Sequence, residues 1–322
     1  MINFAEKISS FSSPLAVGMS GNFRQMKRRI LNIAVFRKET LYQKMRALII
    51  YLVISAVFIG CTPILSIDAS TQSVYHFSDT DKNISLLDIS ETFGTYDGSF
   101  VLYDNNLDSW KIYDLEEATK RIPPESTYKI YDALLGLESG IITPEHSSMT
   151  WNGDAFPFPS WEADQDLNSA MQNSVNWYFQ AIDSQLGINR VQEFLNKIEY
   201  GNQTTSSNLD LYWSDFSLKI SPLEQVTLLK KFNTNEFHLN SQNVFSVKNA
   251  IKIASTPNGN FYGKTGTGRV NGQDINGWFI GYVETSDNSY YFATNIQSDS
   301  NATGKKAFEI TSDILKKLHI WN

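Results

Sequence analysis

The chain of 322 residues has few of the residues that most often bind metals or form covalent cross-links. Its only cysteine is Cys61, which excludes an intrachain disulfide framework. Its four histidines are scattered, show no metal-ligand spacing such as H-E-x-x-H, and lie in no recognisable catalytic motif: His76, His146, His238 and His319. We therefore predict no metal site and no Ser-His-Asp triad.

A phosphate-binding glycine loop, an internal repeat and a low-complexity segment are also missing. The run "GKTGTG" at 263–268 has glycines and a lysine, but it lacks the G-x-x-x-x-G-K-[ST] pattern and lies in a β-rich context. The hydrophobic content of 42% and the aromatic content of 13% indicate a packed globular body.

The charge is divided unevenly along the chain. Residues 1–66 carry nine lysines and arginines against two acidic residues, whereas residues 67–322 carry eighteen against thirty-two. This pattern does not favour a nucleic-acid binder, because the basic residues stop at an apolar run, Ala47 to Ile67, that has no charge before Asp68.

That apolar run has about the length needed to cross a bilayer core of roughly 30 Å. Eight basic residues between Arg24 and Arg46 precede it, so the positive-inside rule places the N-terminus in the cytoplasm. We predict a single-pass protein of the cell membrane: a cytoplasmic basic segment (1–46), a transmembrane helix (47–67), a linker (68–92) and an extracellular domain (93–322).

The apolar run has two other interpretations. A cleavable signal peptide is disfavoured because some 45 residues precede the run. A lipoprotein anchor at Cys61 stays open, since "FIGC" resembles a lipidation site, although the long preceding segment argues against it.

The order of apolar patterns predicts an α/β (α+β) fold. Residues 98–114 form a predicted hairpin, and helical spacing follows at 166–187, 221–232 and 246–254. β-rich runs and a final helix, about Ala302 to Leu318, complete the chain. Strands first, helices next, and then strands with a helix predict an antiparallel sheet that is completed by both chain ends, flanked by helices, with a helical subdomain.

One pair of residues suggests chemistry. In "RIPPESTYKIYDALLGL", Ser126 enters an apolar helical stretch and Lys129 follows three positions later, on the same face. Serine hydrolases that lack a histidine need this spacing, because it lets the lysine amine reach the hydroxyl. By itself the pair is better explained by a helix-capping serine and a solvated lysine.

Two distant motifs change that interpretation: Ser174-Val175-Asn176 and Lys264-Thr265-Gly266. S-x-x-K, S-D-N and K-T-G occur together in β-lactamases and penicillin-binding proteins. With "NSVNWYFQ", "YGN", "YWSDFSLKISPLEQ" and "YGKTGTG…NGWFIGY", the chain resembles class D β-lactamases and the BlaR1/MecR1 β-lactam sensors over about residues 85–320. The resemblance implies a serine β-lactamase or penicillin-binding transpeptidase-like fold.

The resemblance also implies catalytic roles. Ser126 would be the nucleophile that the lactam acylates, and Lys129 the base, either as a buried amine with a lowered pKa or as a carbamate formed with carbon dioxide. Ser174 would relay a proton to the leaving nitrogen. Trp213 would steady the carbamate through its indole N–H, or serve as a core aromatic. No other cofactor is implied.

Substrate binding is implied for the K-T-G strand. Lys264 and Thr265 would hold the drug carboxylate, and Gly266 would let the strand approach the substrate. The backbone N–H groups of Ser126 and Thr267 would form the oxyanion hole.

Further residues complete this comparison. Tyr200 to Asn202 would form a wall of the site. Asn176 stands where class D enzymes usually carry valine and the sensors carry asparagine, and its amide could compete for the lysine. The arginine that binds the drug carboxylate in many class D enzymes has no clear equivalent; Lys305 or Lys306 either stands near that place or is a solvated helix lysine.

These features predict a membrane-anchored β-lactam receptor with a long-lived acyl adduct that signals induction of antibiotic resistance. A membrane-tethered class D β-lactamase is the alternative, and whether turnover makes the protein an enzyme stays open. The expected partners are β-lactams and the membrane, but no nucleic acid. Full receptors of this family carry a zinc protease, so a truncated receptor, a separate protease or repressor-inactivating partner, and a diverged product all remain open.

Overall fold

The structure is a computed structural model, and it describes Met45, residues 73–78, residue 80 and residues 82–322. The predicted transmembrane helix, nearly all of the basic segment 1–46 and Cys61 lie outside these residues. Within the described part of the chain, no helix combines the length and the apolar character that a membrane span needs. The described residues from 73 onward belong to one compact unit, Ile67–Asn322.

A seven-stranded sheet organises this unit, in the order β1-β3-β2-β7-β6-β5-β4. The strands are β1 (Asn83–Leu86), β2 (Asp97–Asp104), β3 (Ser109–Tyr113), β4 (Lys252–Thr256), β5 (Gly259–Val270), β6 (Gln273–Glu284) and β7 (Ser289–Gln297). β2 pairs with both β3 and β7, so strands from the two ends of the domain meet at the centre of one sheet, as predicted.

The sheet is antiparallel as predicted except at one edge, where β1 pairs with β3 in parallel. β1 and β2 run in opposite directions, but both neighbours of β2 are taken by β3 and β7, so β1 joins beyond β3. β1 also lies inside the predicted linker 68–92, and the sheet therefore begins before residue 93.

Helices cover both faces of the sheet. They are α1 (Ser90–Phe93), α2 (Leu115–Thr119), α3 (Lys129–Glu138), α4 (Leu167–Gln172), α5 (Asn176–Leu186), α6 (Ile188–Ile198), α7 (Pro222–Asn233), α8 (Ser241–Ala250) and α9 (Gly304–Lys317). Side chains alternate across β2, so Phe100 and Leu102 join the smaller core with α9, while Val101 and Tyr103 join the larger core with α3, α5 and α7.

The start of α7 follows its sequence pattern. The Ser221 hydroxyl accepts from the Glu224 N–H, and the Glu224 carboxylate accepts from the Ser221 N–H, with Pro222 as the first helical residue. The predicted helix at 221–232, the hairpin at 98–114 and the last helix are therefore confirmed.

Two predicted helices are wrong in part. The stretch 166–187 is broken between α4 and α5, because Ser174 takes a left-handed conformation with φ 54°. The stretch 246–254 ends as a helix at Ala250, and Lys252 begins β4, which pairs with β5. The break in the first stretch shapes the site described next.

Candidate active site

Ser126 lies in a short 3₁₀ helix, Glu125–Tyr128, that leads directly into α3. The segment is held on several sides: the Trp278 indole N–H donates to the Pro123 carbonyl (2.8 Å), and the Glu125 N–H donates to the Trp213 carbonyl (3.1 Å). These bonds fix the residues before Ser126, so Ser126 has a defined position just before α3. It is half-buried at the edge of a cavity.

Lys129 is buried, with 1% of its surface exposed, and its Nζ reaches three oxygens. It contacts Ser126 Oγ at 2.9 Å, the Ser174 carbonyl at 2.8 Å and Asn176 Oδ1 at 2.5 Å. The left-handed turn at Ser174 aims its carbonyl at the amine, so the break between α4 and α5 is part of the site.

These contacts suit an uncharged amine. A carbonyl and an amide oxygen can only accept, so a neutral lysine would give its two hydrogens to Ser174 and Asn176. Its lone pair would then face the Ser126 hydroxyl. Burial first, and then the nearby Lys264 ammonium, hold the pKa of Lys129 well below its usual value, while Asp132 opposes that shift. The arrangement can therefore remove the proton from Ser126.

Two aromatic rings enclose the amine: Trp213, with its ring centre 5.1 Å from Nζ, and Phe179, at 5.5 Å. The Trp213 indole N–H is buried and makes no hydrogen bond of ordinary length among the described residues. Sequence reasoning placed Trp213 here but missed Phe179, which lies one helical turn after Asn176 on α5.

Lys264 lies beneath Ser174. Its Nζ donates to the Ser174 hydroxyl and to the Thr265 carbonyl, the latter at 2.9 Å. Burial lowers the pKa of Lys264 to about 7. Lys129, Ser126, Ser174 and Lys264 thus form one connected polar group, which brings the four central predicted residues together.

The cavity above this group has a volume of about 360 Å³. Its lining includes the predicted residues Ser126, Ser174, Asn176, Thr265, Gly266 and Thr267. The side wall is aromatic and was not predicted: Phe158 and Trp161, from the loop before α4.

Arg269 also lines the cavity, where it pairs with Asp274 (Nε to Oδ1, 2.7 Å). The expected alternatives, Lys305 and Lys306, are not among the lining residues, and Lys306 instead pairs with Glu309 on α9. The period of two along β5 could have identified Arg269, because Thr265, Thr267 and Arg269 share one face of the strand.

The Tyr200–Asn202 segment does not line this cavity. The Tyr200 ring packs edge-on against Tyr128 at 5.1 Å, and Asn202 bonds the Lys219 N–H (2.9 Å) and the Ser217 carbonyl (2.7 Å). These contacts brace the loop that carries Trp213 from behind, so the segment supports the site without forming its wall.

The fold, with a Ser-x-x-Lys pair at the start of a buried helix and a K-T-G strand beside it, is that of the serine transpeptidases and class D β-lactamases. The chain belongs to the penicillin binding protein transpeptidase domain family, whose model matches residues 95–316.

Individual relatives refine this assignment. The chain is 43% identical over 314 residues to the regulatory protein BlaR1 of Bacillus licheniformis, covering 96% of this chain and 52% of that protein. It is 37% identical over 235 residues to the probable β-lactamase YbxI of Bacillus subtilis (strain 168), covering 73% and 86%. The chain thus spans about half the length of the BlaR1 protein.

A solved structure agrees with these sequences. The C-terminal domain of the Bacillus licheniformis BlaR penicillin-receptor matches with a TM-score of 0.73 and 45% identity, over 75% of this chain and 99% of that domain. The resemblance to BlaR1/MecR1-type sensors and class D β-lactamases that the motifs indicated is therefore confirmed.

Proposed function

We propose that this protein is a β-lactam receptor whose Ser126 is acylated by penicillins to form a long-lived adduct. The observation that carries the proposal is the pair of fixed acceptors, Ser174 carbonyl and Asn176 Oδ1, around the buried Lys129 amine. The names of its relatives, a regulatory protein and a penicillin-receptor domain, support the same function.

Acylation follows from the contacts of Ser126. Its Oγ attacks the lactam carbonyl as the hydroxyl proton passes to Lys129 Nζ, and the carbonyl oxygen becomes an oxyanion. The carbon–nitrogen bond of the ring then breaks, and the Ser174 hydroxyl delivers a proton to the leaving nitrogen and takes one from Lys264. The product is an ester on Ser126 with an opened ring.

Hydrolysis of that ester needs a base for the incoming water. A carbamate on Lys129 would supply one, and the buried indole N–H of Trp213 fits a carbamate oxygen. The other side of Lys129 fits poorly: a carbamate nitrogen has one hydrogen, whereas two acceptors, Ser174 and Asn176, contact Nζ. The lysine without a carbamate is therefore favoured. Because it carries the Ser126 proton after acylation, it cannot deprotonate the incoming water, so deacylation is slow and the adduct persists as a receptor requires.

The alternative is a class D β-lactamase that hydrolyses β-lactams by the same acyl-serine route. The buried Trp213 N–H, which makes no hydrogen bond of ordinary length among the described residues, and the 37% identity to a probable β-lactamase favour it. The two functions share acylation and differ only in the lifetime of the ester.

Location and signalling belong to the same proposal. We expect the membrane span at 47–67, a cytoplasmic N-terminus and an extracellular receptor domain, with the basic residues before the span as support. The acyl adduct would then act on a separate protease or repressor-inactivating partner.

The intact mass of the full chain, followed over time after mixing with benzylpenicillin, tests the proposal. We expect the mass to rise by one penicillin and to stay raised for many minutes, while Ser126→Ala shows no increase. Rapid return to the free mass with accumulation of penicilloate would overturn the receptor and establish the β-lactamase. Labelling of Ser126→Ala would show that another residue is the nucleophile.

A further inference from the structure

Glu125, the residue directly before the nucleophile, is a buried acid that the chemistry above does not use. Its side chain is 6% exposed, and its backbone takes the left-handed conformation with φ 52°. Such a conformation is unfavourable for a residue with a Cβ, and a buried carboxyl is unfavourable without partners. The structure nevertheless has both the left-handed backbone and the buried carboxyl directly beside Ser126.

A row of buried amides leads across the sheet to this carboxyl. Asn276 Nδ2 on β6 donates to Glu125 Oε1 (3.3 Å) and to the Pro123 carbonyl (3.1 Å). Asn295 on β7 donates to Asn276 Oδ1 (2.8 Å), and Gln297 donates to Asn295 Oδ1 (3.2 Å). Each amide orients the next, so the last one presents an N–H group to Glu125.

The carboxyl also occupies space that glycines on β5 leave free. A Cβ on Gly268 would lie 2.4 Å from Glu125 Oε1, and a Cβ on Gly266 would lie 3.1 Å from Glu125 Cβ and 3.2 Å from the Ser126 nitrogen. Glu125 is therefore bonded to Ser126 on one side and packed against Gly268, the neighbour of Thr267, on the other.

Thr267, next to Gly268 on β5, is held in place by a separate contact. The Thr267 hydroxyl accepts from the Gly304 N–H at the start of α9 (2.9 Å), which holds this part of β5 in place. Glu125 lies between β5 and the segment that carries Ser126. Its side chain therefore sets the distance between the Ser126 and Thr267 N–H groups.

We propose that Glu125 is a positioning residue for acylation: as an uncharged carboxyl, it fixes the Ser126 and Thr267 N–H groups as an oxyanion hole. This inference rests on the proposed acylation of Ser126. An ionised carboxylate in the same place would oppose the negative charge that develops on the lactam oxygen.

The surroundings favour the uncharged form at neutral pH. Burial raises the pKa of Glu125 to about 8, against smaller lowering effects of the Asn276 hydrogen bond and of Lys129. The charged groups on the packed elements are Lys129, Asp132 and Glu138 on α3, Lys264 and Arg269 on β5, and Asp274 and Glu284 on β6. Since the pKa is raised, the carboxyl holds its proton at pH 7 and loses it as the pH rises through 8.

The test compares acylation rate constants of the full chain with a fluorescent penicillin between pH 6 and 9.5. Glu125→Gln keeps the shape and the uncharged state, so it should acylate like the wild type at pH 7. At pH 9, one pH unit above the raised pKa, about a tenth of the wild type remains protonated, so its rate relative to Glu125→Gln should fall about tenfold. Glu125→Ala should be slow at every pH.

Glu116→Gln is the matched control, because this glutamate side chain is 83% exposed, and it should keep the wild-type profile. A wild-type to Glu125→Gln ratio that stays constant with pH would overturn the inference, as would a Glu125→Ala variant with the wild-type rate. If neither the wild type nor Glu125→Gln forms an adduct, the proposed function itself fails, which is a distinguishable result.

Discussion

Arg121 and Lys129 flank the same short segment, and both are withdrawn from solvent, but they are packed in different ways. The Arg121 side chain is 16% exposed and makes a forked contact with Glu224, from Nε at 3.1 and 3.0 Å and from Nη2 at 2.5 Å. No carboxylate among the described residues lies within ion-pair distance of Lys129 Nζ.

The difference indicates that Arg121 stabilises the structure, whereas Lys129 takes part in proton transfer. A guanidinium keeps its proton in proteins, and a bidentate carboxylate compensates much of the cost of its burial. Lys129 has only neutral acceptors, so the protein stabilises its charge poorly and the proton can be exchanged. Breaking the first arrangement should affect stability, and breaking the second should affect acylation.

Lys129→Met should produce the largest effect. The side chain keeps its approximate volume but cannot take the Ser126 proton, so the acylation rate constant should fall by roughly 10² to 10⁴, the usual contribution of a general base. Stopped-flow mixing with a fluorescent penicillin measures it. Burial of a methionine offsets the lost hydrogen bonds, so urea unfolding should change little. Acylation within tenfold of the wild type would show that Lys129 is not the base.

Arg121→Met should give the converse result. It leaves Glu224 buried without its cation, although Ser221 still donates to that carboxylate, so unfolding in urea should show a loss of about 3 to 5 kcal/mol. The folded protein should acylate at the wild-type rate. Lys120→Met is the control, because Lys120 is 41% exposed in its contacts with Glu116 and Glu117 and should lose less than about 1 kcal/mol. Equal losses in the two variants would contradict the comparison.

Local patterns in the sequence were sufficient to predict the central residues of the site and the start of α7. Ser126 and Lys129 are one helical turn apart, so their contact follows from the chain itself, and Lys264 follows from its motif. The capping pattern of Ser221 and Glu224 likewise located the start of α7.

Other features depend on conformation or on distant pairing. The apolar spacing from Leu167 to Leu186 continues across the break at Ser174, so it gave no sign of the left-handed residue that aims a carbonyl at Lys129. The parallel pairing of β1 with β3 depends on which strand edges remain free. The burial of Glu125 is set by two glycines that lie far along the chain.

Asn176→Val sharpens the comparison at Lys129 and should have the smallest effect of the three. It removes the acceptor at 2.5 Å from Nζ and leaves one hydrogen of the amine without a partner. A carbamate nitrogen, with one hydrogen for the Ser174 carbonyl, would then fit beside the buried Trp213 N–H. We expect the penicilloyl adduct to decay faster by about 10² when bicarbonate is added, the low end of what a general base contributes. Intact mass measures the decay.

Asn173→Val is the matched control, because Asn173 also lines the cavity but bonds the Ser169 carbonyl, and its adduct should persist. An unchanged lifetime in Asn176→Val would mean that neutral acceptors alone do not keep Lys129 a free amine.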